Sequence, residues 1–360
     1  MFQTYDDISD PSKGRERAAA LRDRLKAAGL DGFIVPRADE HQGEYVPACA
    51  ERLAWLTGFT GSAGTAIVLA EKAAIFIDGR YTVQVRDQVD TEVFEPVAIK
   101  DRSPSDWLKE HAGENARIGF DPWLLTRAQV KRLKRALDGK GEMIAVDDNP
   151  LDQAWPDRPA PPQSPVSLQP DELTGTSRAD KLKVLSDSLA NAKADAAVLT
   201  DPSSIAWAFN IRGHDVPHTP LPLSFAILHQ GDRPSLFIEG RKLSNAVRAD
   251  LENHVDVHEK SDFGEALTGL GETGKAVLFD PALGAEAVAR TIEAAGGTIV
   301  EGSDPVALPR ACKSAAELAG TRRAHARDGA AMLRFLVWFD AEAPGGGLSE
   351  IDAARKLEEL

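Results

Sequence analysis

Ala74-Ile75-Phe76-Ile77-Asp78-Gly79-Arg80 returns 161 residues later as Ser235-Leu236-Phe237-Ile238-Glu239-Gly240-Arg241. Each copy is a short apolar run followed by a carboxylate, a glycine and an arginine, the pattern of a buried strand that ends in a tight polar turn. Upstream, Trp55-Leu56-Thr57-Gly58-Phe59-Thr60-Gly61 is answered after 152 residues by Trp207-Ala208-Phe209-Asn210-Ile211-Arg212-Gly213. Downstream, Phe120-Asp121-Pro122 recurs as Phe279-Asp280-Pro281, and Asn149-Pro150 as Asp304-Pro305. The anchors keep their order at nearly constant spacing, and that spacing far exceeds the ~20–50 residues of a solenoid repeat. The expectation is two copies of one whole domain.

Both copies read alike. Residues 15–28 place Ala19, Leu21 and Leu25 at helical spacing, and Gly29 closes that helix. Residues 31–36 then form a short buried strand, matched in the second copy by a helix over 181–192 and a strand over 196–199. Thr65-Ala66-Ile67-Val68-Leu69 and Ala74-Ile75-Phe76-Ile77 are two apolar runs split by a polar turn, a hairpin signal. Their counterparts are residues 224–228 and 235–238. Further helices lead to strands at 116–120 and 276–279. Helices alternating with strands around a hairpin predict an α/β fold, a mixed sheet with helices packed on it.

Between the copies, residues 155–165 carry five prolines, which favour an extended, semi-rigid linker. After the second copy, Ser314-Ala315-Ala316-Glu317 is a capping box opening a helix that runs to about Asp340. Its apolar stripe contains Leu318, Met332, Leu333, Leu336 and Val337. Pro344-Gly345-Gly346-Gly347 breaks it, and Ser349 opens another helix still running at Leu360. Two amphipathic helices are too few for an independent core, so they dock on the preceding domains or open a larger one.

The net charge of -14 and pI near 5.1 argue against nucleic acid and anionic membrane surfaces as partners. No apolar run reaches the ~18 residues of a membrane span. The acidic start Met1-Phe2-Gln3-Thr4-Tyr5-Asp6-Asp7 lacks the apolar core of a signal peptide. Cys49 and Cys312 stand in different domains outside any C-x-x-C pattern, so both read as structural thiols of a reducing cytoplasm.

Residues 58–65, Gly-Phe-Thr-Gly-Ser-Ala-Gly-Thr, lead into a strand rather than a helix, which excludes a phosphate loop and a nucleophile elbow and leaves close backbone packing. In Asp78-Gly79-Arg80-Tyr81, Asp78 can orient Arg80 as a rigid fork for a carboxylate or carbonyl, or can tie it down for structure alone. The densest polar cluster is Arg212-Gly213-His214-Asp215-Val216-Pro217-His218, a cleft loop or a solvated one. Pro217 forbids the helix that would let His214 and His218 share a metal. His254, Asp256 and His258 alternate on one strand face, the pattern of a wet edge strand. No constellation of catalytic residues emerges from the residues themselves.

The segments 39–45 (Asp-Glu-His-Gln-Gly-Glu-Tyr), 58–66 and Asp78-Gly79-Arg80-Tyr81 resemble the first domain of three-domain aminopeptidase P, the Xaa-Pro aminopeptidases of the creatinase/prolidase superfamily. Residues 207–220 resemble its second domain, and residues 313–330 the opening helix of its catalytic domain. The resemblance implies a first creatinase-N-type domain over 1–160, a linker over 161–172, a second such domain over 173–309 and the start of a pita-bread domain over 310–360. It implies removal of the first residue from peptides with penultimate proline, by a pair of divalent ions, usually manganese, held by Asp, Asp, His, Glu and Glu residues beyond Leu360. A metal-bridging hydroxide would be the nucleophile. By the same resemblance Arg80 is the best substrate contact, followed by His41, Tyr81, Arg212, His214, Asp215 and His218. The implied setting is a cytoplasmic homodimer whose partners are proline-containing peptides. On this reading the chain shapes the cleft and is inactive alone. The alternative is a peptide- or protein-binding module without catalysis.

Overall fold

The structure is a computed structural model that describes residues 4–6 and 8–360; Met1, Phe2, Gln3 and Asp7, part of the acidic N-terminal stretch, lie outside the described residues. The first copy contributes β1 (Gly32–Pro36), β2 (Gly64–Leu69), β3 (Ala73–Ile77), β4 (Glu95–Ala98), β5 (Ala116–Phe120) and β6 (Gly141–Ala145). They form one sheet in the order β4-β3-β2-β1-β5-β6, with the hairpin pairs antiparallel and the outer pairs parallel. A short β7 (Ser167–Leu168) follows the linker, then β8 (Ala196–Leu199) and another short strand, β9 (Ile211–Arg212). The second copy continues with β10 (Phe225–His229), β11 (Ser235–Phe237), β12 (Asp256–His258), β13 (Ala276–Phe279) and β14 (Thr298–Glu301). Its sheet order, β12-β11-β10-β8-β13-β14, repeats the first strand for strand.

The same physics builds both copies. Apolar residues on both faces of each sheet demand cover on both sides. In the first copy Leu21, Leu25, Leu53 and Leu56 of the helices Gly14–Ala27 and Arg52–Thr57 cover one face, against Val35, Ala66 and Ile75. Trp107 and Leu108 of Pro104–His111, with Val130 and Leu133 of Arg127–Ala136, cover the other, against Ile34, Ile67 and Phe76. The second copy pairs Arg178–Ala192 and Pro202–Phe209 on one face with Phe263–Glu272 and Glu286–Ala294 on the other. Register refines the alignment of the copies: Ala66 opposes Ile75 as Ala226 opposes Leu236, so Thr65 corresponds to Phe225 rather than to Ser224. The repeated downstream anchors touch one another: Asn149 Nδ2 donates to Asp121 Oδ2 at 2.9 Å, and the Asp304 amide to Asp280 Oδ2 at 3.0 Å.

The copies dock across an approximate twofold axis. Thr126 and Ala285, equivalent positions just after the Asp-Pro anchors, pair antiparallel with each other. Around them the Arg127 amide donates to Gly284 O at 3.2 Å, and its equivalent, the Glu286 amide, to Leu125 O at 2.9 Å. The Ala128 amide donates to Pro281 O at 2.9 Å, and the Ala287 amide to Pro122 O at 2.9 Å. The equivalent side chains Arg127 and Glu286 face each other at 3.6 Å, and Arg127 also holds Glu293 at 2.6 Å.

The linker leads to β7, which pairs with β9. The capping box at Ser314 opens the helix Ala315–Glu342, and Ser349 opens Glu350–Glu359. Ser314 Oγ donates to Thr174 O at 2.9 Å, fixing the long helix to the second copy. Its apolar stripe stays open: Leu333 is 66% exposed and Val337 72%. Cys49 is buried, as a structural thiol should be, whereas Cys312 is exposed. No helix among the described residues is long and apolar enough to cross a membrane.

Candidate functional site

Asp78 ends β3 and caps the turn Gly79–Tyr81 by accepting from the Arg80 amide at 2.8 Å. Its carboxylate also takes Arg80 Nε at 3.0 Å and Nη2 at 2.6 Å, so the guanidinium is held by one face of its fork while the side chain stays 61% exposed. That bond, with its backbone counterpart, pulls the Asp78 carboxyl below its usual range. Gly79 has room for a Cβ, so steric need does not explain the glycine there. The Arg80 guanidinium lies 5.0 Å over the Tyr81 ring. Tyr81 packs edge-on to Phe59, and its hydroxyl accepts from the Ser62 amide at 3.2 Å and lies 2.9 Å from Ser62 Oγ. Ser62 Oγ donates in turn to Glu44 Oε1 at 3.1 Å. The loop 58–65 thus does two things. Gly58 and Gly61 allow close packing, a Cβ at Gly58 falling 2.3 Å from Gln88 O, and Ser62 links the Arg80 turn to residues 39–45.

Residues 39–45 form one wall of a cleft of about 290 Å³ whose other wall is the second copy's loop, through Val216, Thr219, Leu221 and Leu223. The fold therefore unites two motifs that lie far apart in the chain. His41 is buried in the domain interface: Nδ1 sits 3.1 Å from Thr200 O, and the ring stacks on Phe225 at 4.5 Å. It lines the cleft and also wedges the two domains together. Glu40 beside it meets Lys260 at 2.8 Å. Burial pushes the Glu40 carboxyl up, but the His41 and Lys260 charges outweigh this and hold it well below the usual carboxylate range.

The second motif divides. Asp215 is buried and held by three donors: Oδ2 accepts from Lys242 Nζ at 2.6 Å and from the Leu223 amide at 2.7 Å, and Oδ1 from the Ser164 amide at 3.2 Å. Asp215 is not among the residues lining the cleft, and its bonds tie the loop to the Gly240–Lys242 turn. Arg212 turns back to Ile211 O at 2.7 Å; burial lowers its pKa, against an opposing pull from Glu317. His214 and His218 are exposed on the loop, His218 with a left-handed φ of 57°. His258 and Asp256 lie on edge strand β12, where Asp256 is bound by Arg233 at 2.8 Å.

The repeat makes the specialisation of the first copy visible. Arg241 is held by Glu239 at 2.7 Å as Arg80 is by Asp78, but the residue after it is Lys242 instead of Tyr81. Lys242 turns inward to Asp215, whereas Tyr81 reaches the surface loop. Sequence reasoning missed Ser62, Thr200 and Lys242. Only the Tyr81-to-Lys242 difference, read from the aligned copies, signalled the last of these.

Residues 17–151 and residues 157–317 each match a family model described as the creatinase/prolidase N-terminal domain. A probable Xaa-Pro aminopeptidase P of Aspergillus clavatus is 35% identical over 96% of this chain and 54% of its own length. One from Pyricularia oryzae is 32% identical over 96% of the chain and 59% of its own length. The crystal structure of an X-prolyl aminopeptidase from Caenorhabditis elegans, a cytosolic enzyme with a di-nuclear active site, superimposes with a TM-score of 0.89 at 27% identity, covering 96% of this chain and 59% of that one. The chain spans little more than half the length of the relatives it matches.

Proposed function

The chain belongs to the creatinase/prolidase superfamily as a tandem of two N-terminal domains, and we propose that it serves an Xaa-Pro aminopeptidase, removing the first residue from peptides with penultimate proline. The observation that carries this reading is collinearity over 96% of the chain with a relative of that name, including the tandem itself. In this reading residues 39–45 and 216–223 frame the substrate cleft, and Arg80 presents its free edge to a peptide carbonyl or terminal carboxylate at the rim. Among the described residues no group of three or more His, Cys, Asp or Glu is placed to hold a metal ion. The described residues therefore offer no cluster for a divalent metal pair, and no hydrolytic step is assigned to them. A cytoplasmic setting and a homodimer belong to the same reading.

The full protein containing this chain, assayed with Arg-Pro-Pro and added Mn²⁺, is expected to release free arginine, and residues 1–360 alone to release none. Equal cleavage of Arg-Ala-Pro, or no release by the full protein, would overturn the reading; the second result would leave a binding module.

A further inference from the structure

A second interdomain cavity, of about 420 Å³, lies on the far side of the Glu40–His41 step from the cleft. Its apolar wall is aromatic. Phe225 and Phe263 stack at 4.3 Å, and Trp123 of the first copy leans on both at 6.0 and 6.2 Å. Its polar wall is formed by Arg52, Arg158 and Lys260, with Glu40 and Asp121.

Each carboxylate on that wall already holds a donor: Glu40 takes Lys260 at 2.8 Å, and Asp121 takes the Trp123 amide at 2.9 Å and Asn149 Nδ2 at 2.9 Å. Arg158 is spent on Cys49 O and Asp152, but Arg52 and Lys260 keep N–H groups to spare. Arg52 is 5% exposed and spends Nε and Nη2 on Asp152, at 2.7 and 2.9 Å, while its Nη1 is buried with no partner among the described residues. Lys260 uses one of its three N–H groups on Glu40. A buried guanidinium N–H without an acceptor asks for one.

The twofold shows that this lining is particular to one place. The positions equivalent to Trp123, Phe225, Phe263 and Arg52 are Ala282, Thr65, Pro104 and Ser204. Ser204 instead donates to Asp304 at 2.6 Å, a neutral hydroxyl where the first copy has a guanidinium. Cavities of this volume at domain boundaries, apolar with a few convergent polar groups, are the usual form of a small-molecule site.

We propose that this cavity binds a small aromatic carboxylate, its ring against Trp123, Phe225 and Phe263 and its carboxylate on Arg52 and Lys260. The site is separate from the peptide cleft and does not depend on the aminopeptidase reading.

Titration of residues 1–360 with phenylacetate, followed by calorimetry and by ligand-observed NMR, tests it. Phenylacetate is expected to bind, and benzylamine, with a similar ring and the opposite charge, at least tenfold more weakly. Gly264 lines the cavity and a Cβ there would meet nothing within 4 Å, so Gly264→Trp should fill the site while keeping the thermal midpoint, and should abolish binding. Lys260→Met should weaken binding about tenfold and serves as the second variant if Gly264→Trp fails to fold. No binding of phenylacetate, equal binding of benzylamine, or binding that survives both substitutions would overturn the proposal.

Discussion

Asp78–Arg80 and Asp215–Lys242 are both acid–base pairs, and exposure separates their roles. Arg80 is an exposed side chain held by an adjacent carboxylate, so its removal should leave the fold intact and act on substrate. In the full protein Arg80→Ala is expected to lower kcat/KM for Arg-Pro-Pro about tenfold or more while bound metal, measured by elemental analysis, stays constant. Unchanged kinetics would make the arginine purely structural. Lys242 and Asp215 are almost wholly buried, with side chains 4% and 0% exposed. Asp215→Ala should therefore cost about 3–5 kcal/mol by stranding the Lys242 ammonium, read as a lower urea midpoint. A loss below about 1 kcal/mol would return Asp215 to the list of surface contacts. The first pair was legible because its members stand two residues apart. The second was not, because Lys242 and Asp215 meet only when the loop 212–223 folds over the Gly240–Lys242 turn. The interdomain role of His41 was likewise hidden, because its burial against Phe225 depends on a domain more than 150 residues away.

Helices and strands followed the apolar spacing closely, since each copy buries both sheet faces and its strands stand out as apolar runs bounded by polar turns. The one-residue shift that matches Thr65 with Phe225 escaped the sequence because both hairpins are apolar throughout. At the joint between Arg178–Ala192 and Pro202–Phe209, Lys181 is 2% exposed, donates to Asn210 Oδ1 at 2.6 Å and to Trp207 O at 3.0 Å, and sits 4.3 Å over the Trp207 ring. Burial brings its pKa down to about 8, against an opposing pull from Glu317 on the long C-terminal helix. The sign follows from proton counting. Between pH 8 and the unfolded value of about 10.4 the unfolded chain holds a proton the folded one has released, so this contribution to stability rises with pH across that window. Its steepest slope is about 1.4 kcal/mol per pH unit. Chemical denaturation at pH 7.5, 9 and 10 should show this rise relative to Lys181→Met; parallel profiles for the two proteins would place the ammonium in a wetter setting than the structure gives it.

The repetition of the domain was legible in four anchors, but the way the copies face each other was not. The central docking contacts run through backbone amides and carbonyls of residues 122–128 and 281–287, and the ion pairs of Arg127 with Glu286 and Glu293 beside them join residues more than 150 positions apart, which no local pattern announces. Evenly matched copies could have been strung apart on the proline-rich linker. Instead equivalent residues meet equivalent residues, and the cleft, the His41 wedge and the aromatic cavity all exist only because of that meeting. Thr126 and Ala285 form an antiparallel pair flanked by hydrogen bonds rather than joined by them, a geometry that brings Cα atoms to about 4.5 Å and suits a disulfide. The measurement that tests this arrangement most directly is oxidation of the Thr126→Cys/Ala285→Cys variant in a Cys312→Ser background, with free thiols counted and mobility followed on a non-reducing gel. Rapid formation of one intramolecular disulfide, absent from either single-cysteine control, is the expected result; two thiols that stay free, or crosslinks only between molecules, would contradict the twofold docking of the copies.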